Sequence, residues 1–510
     1  MSAESQNNKR IAKNTLLLYV RMILLMLISL YTSRVILNAL GVEDYGIYNV
    51  VGGVVAMFSM ISASLSSAIS RFLTYEIGRG DNKRLNLIFS SSVTVQAGMA
   101  FLILILAETI GLWFLNTQLV IPEDRILAAN WCYQLSLITF MINLISVPYN
   151  ASIIAHENMS VFAYISIMEA IGQLVIAWLI TYSPVDKLIF YAVLLCLLAT
   201  TIRLVYGIYC KRNFEECQYY LVFDKDLLKQ IFGFTGWNMV GTCSAILRTQ
   251  GNNILINMFF GPAVNGAQAI ATKVNTAVSS FVQNFMVALN PQITKSYASG
   301  RMDYMFKLVF QGGRLSFYLI LMLALPIILN THYILVIWLK IVPEYTVSFV
   351  QLLLILELCE SLSHTMVTAI LAQGNIKKYM LIVGGFQLLN VPINLFLFYI
   401  GCKPYIIYIV AIVISQICLA ARLILLNKIM GLSIMKFLKT VYLNVIIVAI
   451  LSSILPSILS YYFNNTALSF IVVSFVAIVN VALVEYFIGC TDEERLFVKS
   501  KILQIISRKR

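Results

Sequence analysis

In the stretch LLLILELCESLSHTMVTAI (352–370), Glu357, Glu360 and His364 recur at i, i+3 and i+7. That spacing puts them on one face of a helix. Two carboxylates and an imidazole on one face of an apolar helix form a candidate proton-coupling set, because each exchanges a proton with its surroundings. The competing reading makes them counter-ions for basic residues inside neighbouring apolar stretches. Glu169, in another such stretch, is a further candidate for proton coupling or for a counter-ion.

Eight of the 36 Lys and Arg residues fall inside apolar stretches: Arg21, Arg34, Arg71, Arg203, Arg248, Lys273, Arg314 and Arg422. A charge at the centre of a membrane helix costs roughly 2.5–3.5 kcal/mol on insertion scales, so each needs a reason. Arg71, Arg203 and Arg422 lie near helix ends, where long side chains reach the interface, and Arg21 is close enough to do the same. Arg34 sits near the opposite end of the first stretch. Arg248, Lys273 and Arg314 lie deeper and call for a polar interior. Together with Arg34 they are the candidate cationic lining of a cavity that accepts an anionic headgroup. Polar side chains cluster beside them. LRTQGNNILIN (247–257) contains Gln250, Asn253 and Asn257, and the next stretch contains Gln268 and Asn275 at helical spacing. Amides can hydrogen-bond sugar hydroxyls or water.

Other chemistry is absent from the sequence. There are three histidines, no HExxH and no P-loop. The nine cysteines form no CxxC pair and read as small core hydrophobes. No cofactor or metal is expected, and the chain does not read as an enzyme.

These residues must be positioned by membrane helices. The chain has 510 residues, 60% hydrophobic and 12% charged, a membrane-protein composition. Fourteen apolar windows long enough to span a bilayer lie between residues 15 and 489. Spans one and two cover 15–39 and 45–74, spans seven and eight 229–259 and 263–292, spans nine and ten 305–330 and 345–372, and the last two 437–460 and 466–489. Prolines 148, 291, 326, 392 and 456 predict bends within them. Loops on one side carry 24 Lys and Arg against 4 on the other. By the positive-inside rule both termini are cytoplasmic. The formal charge of +13 is thus a topology signal, and nucleic acid is not an expected partner.

An internal repeat appears at an offset of 220 residues. ALGVEDYGIYNVVGGV (39–54) aligns with FFGPAVNGAQAIATKV (259–274), matching Gly41 to Gly261 and Gly46 to Gly266. Six spans separate the copies, so the repeat is parallel. The expected fold is an all-α polytopic membrane protein of about 14 transmembrane helices. It comprises two six-helix bundles in parallel repeat plus two C-terminal helices. The expected domains are an N-terminal lobe over 1–210, a cytoplasmic linker over 211–230, a C-terminal lobe over 231–430, and two extra helices with a basic tail over 431–510.

The first span ending in SRVILNALGVEDYGIY, followed by a Ser-rich second span ending before GRGD, resembles the amino-terminal region of bacterial polysaccharide flippases. Their superfamily also contains multidrug and toxin extruders (MATE) and lipid II flippases. The resemblance implies a MATE-like fold whose spans one, two, seven and eight line a central cavity. It further implies movement of an undecaprenyl-pyrophosphate-linked oligosaccharide to the periplasmic leaflet of the bacterial inner membrane. Proton or sodium coupling and a polysaccharide polymerase or chain-length regulator as partners follow from the same resemblance. A drug/cation antiporter or lipid II flippase of the same fold is the nearest alternative. The antiporter would want acidic residues in the first-lobe cavity, where this sequence has arginines. A membrane-embedded glycan polymerase or acyltransferase would want a large outer loop, and the outer loops are short.

Overall fold

The computed structural model describes residues 3–57, 69, 73, 82–156, 158–220, 243–244, 246–373, 377–463, 466–496 and 499, with side chains from residue 23 onward except at 82, 154, 155, 159, 287, 288, 291, 295 and 298. The expected interface roles of Arg21 and Arg71, the serine face of span two beyond residue 57 and the linker beyond residue 220 lie outside that set. Among the described residues every regular element is helical. This is the form that satisfies each backbone N–H and C=O internally once water is absent.

Among the described residues eleven helices are long and apolar enough to cross a membrane. Three expected spans are not separately among them. The first two are joined in one element, Ala3–Met57, broken at Gly41 (φ 82°, ψ 171°). Span seven is described only from residue 243, and span eight, Pro262–Ala298, carries the polar residues noted above. The repeat is visible in the backbone. Gly41 and Gly261 both have positive φ, 82° and 80°, a conformation glycine adopts without steric cost. Pro262 then opens its helix, where a missing N–H costs nothing. The second aligned pair meets face to face. A Cβ on Gly46 would lie 1.7 Å from the Pro262 carbonyl oxygen, and one on Gly266 would lie 2.7 Å from that of Val42. Only glycine permits the two backbones to cross so closely.

Prolines 148, 326 and 456 sit inside helices. Near Pro392 the helix is interrupted, with Leu389 alone separating Lys377–Leu388 from Asn390–Tyr399. Pro392 has no N–H to offer the Leu388 carbonyl.

The chain packs as two compact units. One comprises 1–273 with 343–346 and 380–410; the other comprises 274–342, 347–379 and 411–510. In the first, helices Ile126–Ala155 and Lys187–Asn213 pack along each other. A buried cluster including Phe89, Ile153, Tyr206 and Phe214 ties Asn82–Leu106 to them. At one end Arg125 bridges two carboxylates, with Nε and Nη2 on Asp44 at 2.7 and 2.6 Å and Nη1 on Asp186 at 2.5 Å. Asp186 also caps the Lys187–Asn213 helix through the N–H groups of Leu188 and Ile189. Partial burial raises the Asp186 pKa, but the hydrogen bonds from Arg125 and the capped N–H groups outweigh it and hold the carboxyl below its ordinary value. In the second unit, Met302–Leu329 packs against Ala467–Val484, and Leu443–Tyr462 pairs with Ala467–Val484.

Candidate functional site: a polar cavity with a lysine ammonium

The first unit encloses a cavity of 340 Å³. Its construction follows from the Gly41 break. The helix before the break supplies Ser29, Thr32 and Ser33. The hydroxyls of Thr32 and Ser33 donate to the carbonyls of Ile28 (2.9 Å) and Ser29 (2.7 Å). Their lone pairs remain available as acceptors. The helix after the break supplies Tyr45, Tyr48 and Asn49, spaced i, i+3, i+4 and thus on one face. Asp44, on the adjoining face, anchors this helix to Arg125. Tyr191 meets Tyr48 edge to face with ring centroids 4.8 Å apart. Gln173 closes that side.

Thr249, Gln250 and Asn253 come from the helix over 246–260, and Gln268, Thr272 and Lys273 from Pro262–Ala298. Gly53 makes room for the amides, since a Cβ there would fall 2.5 Å from Asn253 Nδ2 and 2.7 Å from Gln250 Oε1. The repeat aligns Gly53 with Lys273, so one copy contributes space and the other an ammonium. Lys273 is exposed to the cavity. Among the described residues no carboxylate lines the cavity, and none forms an ion pair with Lys273.

Of the residues singled out in the sequence, the cavity gathers Lys273, Gln250, Asn253 and Gln268. Asn253 serves mainly to join helices: Asn49 Nδ2 donates to its Oδ1 at 3.2 Å, Asn265 Nδ2 to the same oxygen at 2.7 Å, and its own Nδ2 donates to the Asn49 carbonyl. Asn257 is elsewhere, clasping Val120 by accepting from its N–H (2.9 Å) and donating to its C=O (3.3 Å). Arg34 is half-buried one residue beyond the lining Ser33, and Arg248 is half-buried one residue before the lining Thr249. Glu169 is exposed one turn before Gln173.

The rest belong to the second unit. Asn275 Nδ2 donates to Glu357 Oε2 at 3.4 Å. Glu357 is buried, and Glu360 and His364 are half-buried. His364 Nε2 has no hydrogen-bond partner among the described residues. Arg422 does not reach a helix end as expected. It is 8% exposed and donates to Ser363 Oγ at 3.0 Å and to the Tyr379 hydroxyl at 3.5 Å. Arg314 is buried and has a partner, both of its Nη2 bonds, 2.6 and 2.8 Å, going to Glu494, a residue beyond the last span.

Sequence reasoning passed over Tyr45, Tyr48 and Tyr191. Their signal was present as GVEDYGIYN, two tyrosines at i and i+3 directly after the glycine break. An aromatic ring at a cavity wall is not distinguishable from a core ring by spacing alone.

Comparison with known proteins supports this architecture. A multidrug resistance MATE family transporter of the MOP superfamily, in an inward-facing conformation, superposes with a TM-score of 0.67 at 13% identity, covering 80% of this chain and 98% of that one. The lipid II flippase MurJ, in an inward closed conformation, gives 0.66 at 12% identity, covering 93% and 98%. The uncharacterized membrane protein EpsK of Bacillus subtilis strain 168 is 21% identical over 301 residues, 59% of this chain and 59% of that protein. The chain thus matches about three-fifths of that curated relative. With the fold of MOP-superfamily transporters and a match over residues 11–297 to the family described as polysaccharide biosynthesis protein, the chain belongs to that family.

Proposed function

We propose that the protein is a flippase moving an undecaprenyl-pyrophosphate-linked oligosaccharide from the cytoplasmic to the periplasmic leaflet of a bacterial inner membrane, with both termini cytoplasmic. One observation carries this reading: among the described residues the cavity presents amides, hydroxyls and tyrosine rings with one ammonium and no carboxylate. Lys273 takes a pyrophosphate oxygen in a charge-assisted hydrogen bond. Gln250, Gln268 and the hydroxyls satisfy sugar hydroxyls, which hydrocarbon cannot do, and Tyr45, Tyr48 and Tyr191 give apolar faces for sugar rings. Arg34 and Arg248, beside the lining, add positive potential without occupying the site. The absence of a lining carboxylate speaks against a drug/cation antiporter, whose cationic cargo needs one.

In this reading the lobes over 1–210 and 231–430, joined by 211–230, alternate access to the cavity, and the helices over 431–510 are an appendage shared with a polymerase or chain-length regulator. Proton coupling falls to Glu357, Glu360 and His364 in the second unit, with Arg422 setting the local potential. The test is flipping of a lipid-linked oligosaccharide in proteoliposomes. Lys273→Ala abolishes transport and Lys273→Arg restores most of it, whereas undiminished transport by Lys273→Ala overturns the assignment.

A further inference from the structure

The second unit holds a larger cavity, 730 Å³, where the Met302–Leu329 helix begins and the last span ends. One face of that helix lines it, through Asp303, Phe306, Lys307, Phe310 and Arg314 at intervals of three and four residues. Gly431 to Thr440 and Thr491 to Glu493 complete the wall.

The charges of this wall fall into two groups. Glu494 pairs with Arg314, Glu493 with Lys307, and Asp492, which also lines the cavity, with Arg495. Thr491 and Glu494 cap each other's backbone N–H groups, at 3.4 and 2.7 Å to Glu494 N and Thr491 N respectively. This capping box holds Glu494 in place. Lys436 and Asp303 line the same cavity and form no ion pair among the described residues. Arg314, with a side chain 6% exposed, leaves its buried Nε without a hydrogen-bond partner. A buried guanidinium N–H is seldom left unmet, so the site calls for an acceptor. Met435, Leu438 and Phe487, exposed on the helices next to the wall, offer apolar surface beside a polar floor.

One spare cation, one spare carboxylate, an unmet N–H and flanking apolar surface describe the complement of a zwitterionic amphiphile. We infer that this cavity binds the headgroup of an ethanolamine phospholipid. Its phosphate is met by Arg314 Nε and Lys436 and its ammonium by Asp303. The ammonium donates hydrogen bonds to a carboxylate, which a choline headgroup cannot do, and a glycerol headgroup has no cation for Asp303. The site is independent of what the 340 Å³ cavity carries.

Lipid titration of the delipidated full chain, read by native mass spectrometry with dioleoyl phosphatidylethanolamine, phosphatidylcholine and phosphatidylglycerol, tests it. The ethanolamine lipid binds tightest. Lys436→Ala weakens it about tenfold, the loss of one charge-assisted hydrogen bond. Asp303→Asn lowers ethanolamine binding to the choline level and leaves choline binding unchanged. These two exposed positions are chosen because removing Arg314 strands Glu494. Glycerol lipid binding as tightly as ethanolamine lipid, or an ethanolamine preference that survives Asp303→Asn, overturns the proposal.

Discussion

Lys273 and Arg314 both stood out as basic residues inside apolar helices, yet the two cavities use them in opposite ways. Lys273 faces a polar, carboxylate-free wall and has no ion partner among the described residues. Arg314 is almost fully buried and takes a bidentate carboxylate from Glu494. A buried charge that is paired becomes part of the packing, and removing one partner leaves the other uncompensated. A charge exposed to a cavity with no partner contributes little to folding and remains available to a ligand. The environment, more than depth along a helix, separates these roles.

The sharpest way to break this contrast is to delete each charge. Arg314→Met should lower unfolding free energy by about 3–5 kcal/mol by stranding Glu494, seen as a large drop in thermal midpoint in detergent. Lys273→Met should leave that midpoint within about 1 kcal/mol while abolishing flipping. Similar midpoints for both variants would erase the distinction.

The Gly46–Gly266 crossing should rank next. Gly46→Ala places a methyl against the Pro262 carbonyl, which backbone cannot accommodate without moving. Overpacking of this kind costs about 1–3 kcal/mol, whereas Gly52→Ala, with open space around its Cβ, should cost no more than the usual surface substitution. Thermal midpoints of the pair decide it.

The Arg125 clamp should come third. Its partners are partly exposed, so Arg125→Ala should cost about 1–2 kcal/mol. The pH dependence has a fixed sign. Because the folded pKa of Asp186 lies below its ordinary value, its contribution is present above the unfolded carboxylate range near 4 and is lost as pH falls through the lower folded value. The wild type should therefore lose more stability than Arg125→Ala on acidification below that range, measured as the difference in midpoints.

Tyr48→Phe should have the smallest effect. It keeps the ring against Tyr191 and removes one hydroxyl, so flipping should fall only severalfold, an effect of about 1 kcal/mol. Tyr48→Ala should cost more through the lost ring, and equal rates for the two would assign Tyr48 to packing alone.

The membrane-spanning helices, the glycine breaks at 41 and 261 and the equivalence of Gly46 with Gly266 in the repeat were all legible in the amino-acid order, though not that the two glycines meet. Each rests on a local cause. A long apolar run must hydrogen-bond its own backbone in lipid, and a glycine at the same place in both repeat copies marks the same left-handed turn. Lys273, Gln250 and Gln268 could likewise be singled out, because polar groups in such runs are costly enough to need a purpose. The purpose itself came only from the tertiary structure. Asn253 and Asn257 carry the same side chain four residues apart, yet one knits the cavity wall and the other holds a distant loop. Arg314 and Arg422 are both buried and paired because Glu494, Ser363 and Tyr379, far away in sequence, reach them. Which partner satisfies a polar group depends on helices brought together from distant parts of the chain, and no spacing within one helix encodes it.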